Sequence, residues 1–352
     1  QGPLSIETLR LDPPGAGEVL VRMVASGVCH SDLHVVDGDW SRPADVVLGH
    51  EGAGVIEALG PEVVGLAVGD LVVLAWTAPC GVCRPCRRAE QWLCADPRGS
   101  GHRLSLQQVR LRRPDGSPVG SYSGIGTFAE RQVVAAEAAI RVDPRTPPEI
   151  AALVGCAVTT GVGAVMNTAE VRAGESVVVI GAGGVGLSAI MAAAMARARL
   201  VVAIDAVPAK LALAKKAGAT HAATPELVRA LVASLTDGGA DHVFEAIGLR
   251  ETVELAIELT RPGGTTTLVG MTPQGDRASV DVYRFVEEGR RLLGSNYGSA
   301  VPARDFPRIC GLYLDGRLPL DLLVTERIDV YGLEAAFAAM RRRDGARRVV
   351  AF

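Results

Sequence analysis

From residue 17 to about 142 the chain runs in short apolar stretches, EVLVRMVA, GVIEALG, DLVVLAW and FAERQVVA, broken by Gly, Pro and Asp. Near-alternation of apolar and polar positions lines one face of a strand, and the turn residues between runs let the chain fold back. This half therefore reads as an antiparallel β domain. From about 158 to 296 the pattern changes to apolar strands alternating with helical stretches: ESVVVI, LSAIMAAAMARA, LVVAID, AKLALAKKAG, DHVFEAIG, ETVELAIELT and TTTLVGM. That alternation builds parallel βαβ units and a doubly wound α/β sheet. The tail from about 297 ends in EAAFAAMRRR and ARRVVAF, which predicts a first domain of residues 1–157 completed by 297–352, with 158–296 as the second. The run 187–204, interrupted by Arg197 and Arg199 and dominated by Ala, reads as a buried helix followed by a strand and not as a membrane span. The polar, turn-rich segment 96–123 reads as a solvated excursion.

Composition narrows the partners. The 352 residues suit about two domains. With 36 Lys and Arg against 39 Asp and Glu, a net charge of −3, nothing calls for nucleic acid or an anionic membrane, and a small-molecule partner is expected. The N-terminal QGPLSIETLRLDPPGAGEVLVRM lacks the basic and then apolar layout of a secretion signal, so a cytoplasmic location is expected. In a reducing compartment seven cysteines are better read as ligands or plain thiols than as disulfide staples.

In SVVVIGAGGVGLSAIMAAAMARARLVVAID, residues 176–205, a strand runs into Gly181-x-Gly183-x-x-Gly186, a helix follows, and a second strand ends at Asp205. In that context the glycines serve a dinucleotide: Gly181 for the tight turn, Gly183 for close approach of the backbone to a pyrophosphate, Gly186 for packing of helix on strand. Gly184 and Val185 complete the loop, and the phosphates belong at the positive end of the helix. Asp205 suits a ribose 2′-OH and repels a 2′-phosphate, which favours NAD over NADP.

Four thiols, Cys80, Cys83, Cys86 and Cys94, are spaced C-x2-C-x2-C-x7-C. Four thiolates so placed can close around one tetrahedral Zn²⁺ with no position left for substrate, which makes that site structural. An iron–sulfur cluster shares the ligand type, but no electron-transfer partner domain is visible. Of the remaining cysteines, Cys29 lies in SGVCHSDLH and Cys156 in LVGCAVTTG, and His50 lies in LGHEGAGVIEALG. Two thiolates and an imidazole would leave a fourth position open, the arrangement of a catalytic zinc.

The combination of Cys29-His30-Ser31-Asp32, Gly49-His50-Glu51 with its trailing glycines, the four-cysteine lobe, Cys156 and the nucleotide motif resembles the zinc-dependent medium-chain alcohol dehydrogenases, over nearly the whole chain. The resemblance implies a GroES-like β-rich catalytic domain, a Rossmann cofactor domain, an active-site cleft between them, and two Zn²⁺ per chain. It also implies NAD as hydride acceptor, an alcohol or aldehyde substrate, and a homodimer formed through the Rossmann domains. It places Ser31 and His34 in a proton relay, Asp32 behind His50, and Glu51 near the metal without making it a resting ligand. His30 and Arg347 match positions that contact the pyrophosphate, Lys210 one beside the adenosine ribose, and Thr160 one near the nicotinamide. Trp40, Trp76, Tyr122, Met271 and Asn296 match the substrate wall, whose aromatic members suit a bulky or flat alcohol.

Within the family, the tail after Asn296, the GIGTFAE run and the long segment after Cys94 are most similar to the actinobacterial branch that includes mycothiol-dependent formaldehyde dehydrogenases. Arg98, Arg110, Arg112 and Arg113 would then meet a polar thiol adduct. Of the acidic pair that glutathione-dependent relatives carry near Trp40, Asp39 matches one member and Ser41 replaces the other. A non-catalytic nucleotide sensor, the rival from another class, would lack part of the set Cys29, His50, Cys156, Ser31 and His34, all of which are present.

Overall fold

The computed structural model describes residues 4–40, 45–95 and 109–352. The chain divides into two compact units, one of Gln1–Ala157, Ala300–Asp315 and Val324–Phe352, the other of Val158–Ser299 and Gly316–Leu323. The chain therefore re-enters the first unit at Ala300 and returns Gly316–Leu323 to the second, a detour that an uninterrupted 297–352 tail does not contain.

The first unit is built on a seven-stranded sheet in the order Val324–Ile328, Arg347–Ala351, Glu18–Gly27, Glu51–Leu59, Leu71–Leu74, Ala139–Arg141, with Arg131–Ala135 also paired to Glu18–Gly27. In the strand EVLVRMVASG, Val19, Val21, Met23 and Ala25 are buried while Arg22 is exposed, the period of two that the sequence shows. Val19, Val21 and Met23 pack with Ile56, Val72, Leu74, Ile125 and Val134, each such side chain contributing about 1.5–3 kcal/mol when fully taken from water. Arg347–Ala351 pairs antiparallel with Glu18–Gly27, so the end of the chain lies beside the strand that leads to Cys29.

A second, four-stranded sheet joins Arg10–Leu11, Leu111–Arg112, Pro118–Ser121 and Val46–Val47. Here the expectation of a solvated excursion fails for the described part of 96–123. Leu111, Val119 and Tyr122 are buried, because alternation in this polar stretch is enough to give its two strands an inner face. Residues 96–108 lie outside the described residues, and with them Arg98; so does Ser41.

The second unit carries a six-stranded parallel sheet in the order His221–Ala223, Leu200–Ile204, Ser176–Ile180, Ala240–Glu245, Thr260–Leu268, Arg291–Gly294. Its central strands are buried on both faces, as an α/β sheet requires, with Val177, Val178 and Val179 fully covered. Helix Gly184–Met195 is apolar on nearly every side and buried to match. From Ser176–Ile180 the chain first builds outward through Leu200 and His221, then crosses to the other side through Ala240, Thr260 and Arg291. The order reverses at the carboxyl end of Ser176–Ile180, the switch point at which such sheets bind ligands, and the glycine motif begins there.

Residues Pro148–Thr168 form a helical stretch long and apolar enough to cross a membrane, but 83% of its apolar window is buried inside the protein, as in a core helix. It contains two π-helical turns, Val154–Val158 and Ala164–Thr168. Such turns widen a helix by one residue and re-aim its side chains. Cys156 sits in the first of them.

Candidate active site and metal centres

In the first unit, ligand atoms of Cys29, His50, Glu51 and Cys156 all lie within 4.8 Å of one another, and all four residues are buried. Each arrives by a different route. Cys29 caps the N-terminus of helix His30–Asp37 in extended conformation, where the free N–H groups favour a thiolate. His50 and Glu51 sit at the start of the strand Glu51–Leu59, and Cys156 is presented by the π turn.

The imidazole of His50 is oriented from behind. Its Nδ1 lies 3.1 Å from Asp32 Oδ1, which also accepts the Gly49 N–H at 3.0 Å. A carboxylate at Nδ1 keeps the proton there and leaves the lone pair on Nε2, which is buried with no hydrogen-bond partner. An orphaned imidazole nitrogen facing two thiols is a donor set that suits Zn²⁺.

The electrostatics agree. The Cys156 hydrogen bond, with the charges of Arg347 and His50, holds the Cys29 thiol well below the ordinary thiol range in spite of burial. The same bond and burial push Cys156 up. Burial opposes charge on His50, but Asp32 and Cys29 outweigh it and raise its pKa. Burial pushes Glu51 up to about 7 against the pull of Arg347. A cation here takes the place of protons that the buried ligands otherwise share.

The lobe is built differently. Cys83 caps the short helix Arg84–Arg87, and its N–H reaches Cys80 Sγ at 3.3 Å while the Cys80 N–H reaches Cys94 Sγ at 3.4 Å. The Sγ atoms of Cys83 and Cys94 are 3.9 Å apart. That is far beyond a disulfide bond and close to the edge, about 3.8 Å, of a tetrahedron with Zn–S of about 2.3 Å. Backbone N–H groups of Cys86 and Ala95 pull the Cys83 thiol down to about 6, and burial pushes Cys86 up to about 12. Val82 and Leu93 are exposed, so the lobe has little apolar core of its own.

In the second unit Gly181 has φ +98°, and a Cβ on Gly186 would lie 1.7 Å from the Gly181 carbonyl oxygen, so helix and loop can meet only without a side chain there. A Cβ at Gly183 would meet nothing within 4 Å, which leaves an open cradle at the N-terminus of Gly184–Met195. Asp205 accepts the Ala182 N–H at 2.8 Å and the Val207 N–H at 2.9 Å, so its carboxylate is fixed beside that loop. Donor groups, open backbone and carboxylate together fit a dinucleotide with a free 2′-OH.

Residues 15–144 match the family model of the alcohol dehydrogenase GroES-like domain, and residues 184–313 that of zinc-binding dehydrogenases. The chain is 35% identical over 355 residues to the S-(hydroxymethyl)glutathione dehydrogenase of Synechocystis sp., covering 99% of this chain and 96% of that one. The chain belongs to the zinc-binding alcohol dehydrogenase family. Among solved structures, an alcohol dehydrogenase zinc-binding domain protein from Burkholderia ambifaria is similar at TM-score 0.95 and 36% identity, over 100% of this chain and 96% of that one. Benzyl alcohol dehydrogenase from Acinetobacter calcoaceticus is similar at TM-score 0.90 and 32% identity, over 98% and 95%. This alcohol dehydrogenase is thus an oxidoreductase of alcohols and aldehydes with zinc and NAD as cofactors.

Of the other residues singled out by sequence, Ser31 is half-buried on the first turn of helix His30–Asp37, where His30 is exposed, and His34 lies further along it. Tyr122 is buried with its ring edge-on to His50, centroids 5.5 Å apart. Trp40 is buried against His34, whereas Trp76 packs on the β core around Val19 and Ile56. In the second unit Thr160, Lys210 and Asn296 are half-buried and Met271 is exposed.

Arg347 is not a solvated cation. It is buried, pairs with Glu51 at 3.4 Å and donates to the Val28 carbonyl at 3.0 Å. Sequence reading missed this contact and could not have found it, since only the pairing of the C-terminal strand with Glu18–Gly27 brings residue 347 to residue 51. The arginines assigned to a thiol adduct are engaged within the unit: Arg110 with Glu18, Arg112 with Asp12, Arg113 with Glu7 and Asp45.

Proposed function

We propose that this dehydrogenase interconverts primary or secondary alcohols, flat aromatic ones foremost, with their aldehydes or ketones. In this reading the first unit is the catalytic domain and the second holds NAD. Cys29, His50 and Cys156 hold the catalytic zinc with Glu51 beside it, and Cys80, Cys83, Cys86 and Cys94 hold the structural zinc. The single observation that carries the reading is the buried, unpartnered Nε2 of His50, aimed by Asp32 and grouped with two thiols. When bound, the zinc lowers the pKa of an alcohol hydroxyl and NAD accepts the hydride. Asp32 holds the proton on Nδ1 of His50, and Arg347 balances the negative charge of Glu51 and the thiolates. Ser31 takes the hydroxyl proton and His34 passes it to solvent. Gly181, Gly183, Gly184, Val185 and Gly186 receive the pyrophosphate together with His30, Asp205 and Lys210 hold the adenosine ribose, and Thr160 lies near the nicotinamide.

Tyr122, standing edge-on beside His50, supports an aromatic substrate, as does the likeness to benzyl alcohol dehydrogenase. The second reading, a mycothiol adduct of formaldehyde, draws on the likeness to S-(hydroxymethyl)glutathione dehydrogenase. Against it stand Arg110, Arg112 and Arg113, each already paired with carboxylates. NAD reduction assayed with benzylic and aliphatic alcohols, and with formaldehyde with and without mycothiol, separates the two. Turnover of benzylic alcohols independent of thiol is expected, and turnover only with formaldehyde and mycothiol together overturns it.

A homodimer through the second unit is supported by the exposed Val282, Tyr283 and Val286 and by the edge strand Arg291–Gly294, paired on one side alone among the described residues. A cytoplasmic setting is supported by the seven cysteines, none of which is joined in a disulfide.

A further inference from the structure

Helix His30–Asp37 ends on Gly38 at φ +85°, and the chain folds back so that the Trp40 N–H donates to the His34 carbonyl at 3.3 Å. This turn carries two side chains onto one imidazole. Asp39 Oδ2 lies 2.7 Å from His34 Nδ1, and the indole of Trp40 stacks on the ring at 4.7 Å between centroids and 26° between planes. His34 is 25% exposed and Asp39 42%, while Trp40 is buried. The imidazole is thus held on one edge by a carboxylate and on one face by an aromatic ring, with a path to water left open.

We propose that Asp39 and Trp40 are positioning residues of the proton exit, a reading that rests on His34 being the outer base of the relay. A carboxylate at Nδ1 fixes the proton there, which makes Nε2 the accepting nitrogen. Asp39 on the ring edge and the indole on its face hold the imidazole in that orientation while the proton passes. The step balances: as the O–H bond of the hydroxyl breaks, its proton, arriving by way of Ser31, forms an N–H bond on Nε2, and that N–H bond then breaks to release the proton to buffer. Other charged side chains of this segment are committed elsewhere, Asp32 to His50 and Asp37 to Arg341 of the neighbouring helix Leu333–Arg341, and His30 is exposed on the first turn. Asp39 thereby acts on a proton and not on a thiol adduct, and Trp40 serves the relay and not only the substrate wall.

The test uses the zinc-loaded enzyme with saturating NAD and benzyl alcohol and reads the single-turnover rate of NADH formation, so that product release does not mask the step. Asp39→Asn is expected to slow it about tenfold at pH 7, and Trp40→Leu about threefold, with zinc content and NAD affinity unchanged. Added imidazole, as a soluble base, restores both, and the deficit closes as pH rises and hydroxide takes over. His34→Gln is slow, and His34→Gln with Asp39→Asn is no slower, since Asp39 acts only through His34. An Asp39→Asn enzyme at the wild-type rate beside a slow His34→Gln overturns the proposal and leaves the relay standing. A slow Asp39→Asn enzyme that imidazole does not restore also overturns it. Wild-type rates in His34→Gln overturn the relay itself and the proposal with it.

Discussion

Cys80, Cys83, Cys86 and Cys94 come from one short loop whose own backbone N–H groups reach their sulfurs, whereas Cys29, His50 and Cys156 come from a helix cap, the approach to a strand and a π turn. Cys80 and Cys83 are partly exposed; every member of the scattered set is buried. The lobe needs nothing outside itself to bring its thiols together. The scattered set depends on residues behind it, Asp32 on the imidazole and Arg347 on Glu51. A closed set of four thiols can only hold a loop in shape, since no position remains for a reactant. A set of three, buried and oriented from behind, leaves a position free and holds it to a defined geometry, which chemistry requires.

Two substitutions can break this contrast, and a third serves as a metal-free control. The largest effect is expected from Cys29→Ala: kcat/KM falls about a thousandfold or more, the several kcal/mol that a metal supplies to developing charge. Metal analysis should show one zinc lost of two, with the melting temperature nearly kept and NAD still bound. If zinc content and turnover persist, the scattered set is not the reactive one. Cys83→Ala should act on stability first, because metal binding at such a loop is folding free energy. Zinc again falls by one, the lobe becomes open to proteolysis, and the melting temperature drops. Activity per folded molecule falls far less than in Cys29→Ala. A fully stable, protease-resistant Cys83→Ala enzyme would show that the lobe does not need its metal.

The smallest effect keeps metal out of the comparison. Asp241 accepts the N–H and the hydroxyl of Ser176 and the Arg261 guanidinium, and these donors pull its pKa down to about 2 against burial. A carboxyl lowered in the fold stabilises above its unfolded pKa, roughly 3.9, and loses that contribution as pH falls through the folded value. Asp241→Asn should therefore cost about 1–2 kcal/mol in urea unfolding at pH 7, the worth of hydrogen bonds to a charged group. The difference should shrink toward pH 2 while zinc content and turnover stay as in the parent. A deficit equally large at pH 2 would mean that the charge of Asp241 is not what stabilises.

Legibility in the sequence followed range. The alternation of Val19, Val21, Met23 and Ala25, the apolar run of Ser176–Ile180 and the glycines of 181–186 are local patterns, and local sterics decide them. The lobe was equally plain, since C-x2-C-x2-C brings thiols together within one turn of chain. The strands within 109–123 were hidden because two short alternating stretches among arginines look like a loop until a sheet gives them an inner face. The Asp39–His34 pair was also obscured, five residues apart and joined only by the turn at Gly38.

By itself the sequence determined the two kinds of sheet, the glycine-rich loop and the close spacing of the four lobe thiols, because each is a matter of period or spacing. Only the tertiary structure decided that Arg347 is the counter-charge of Glu51 and that the arginines near 110 are already paired. These are contacts between residues far apart in the chain. Strand pairing and burial set them, and no local pattern encodes which distant side chain a buried charge will meet.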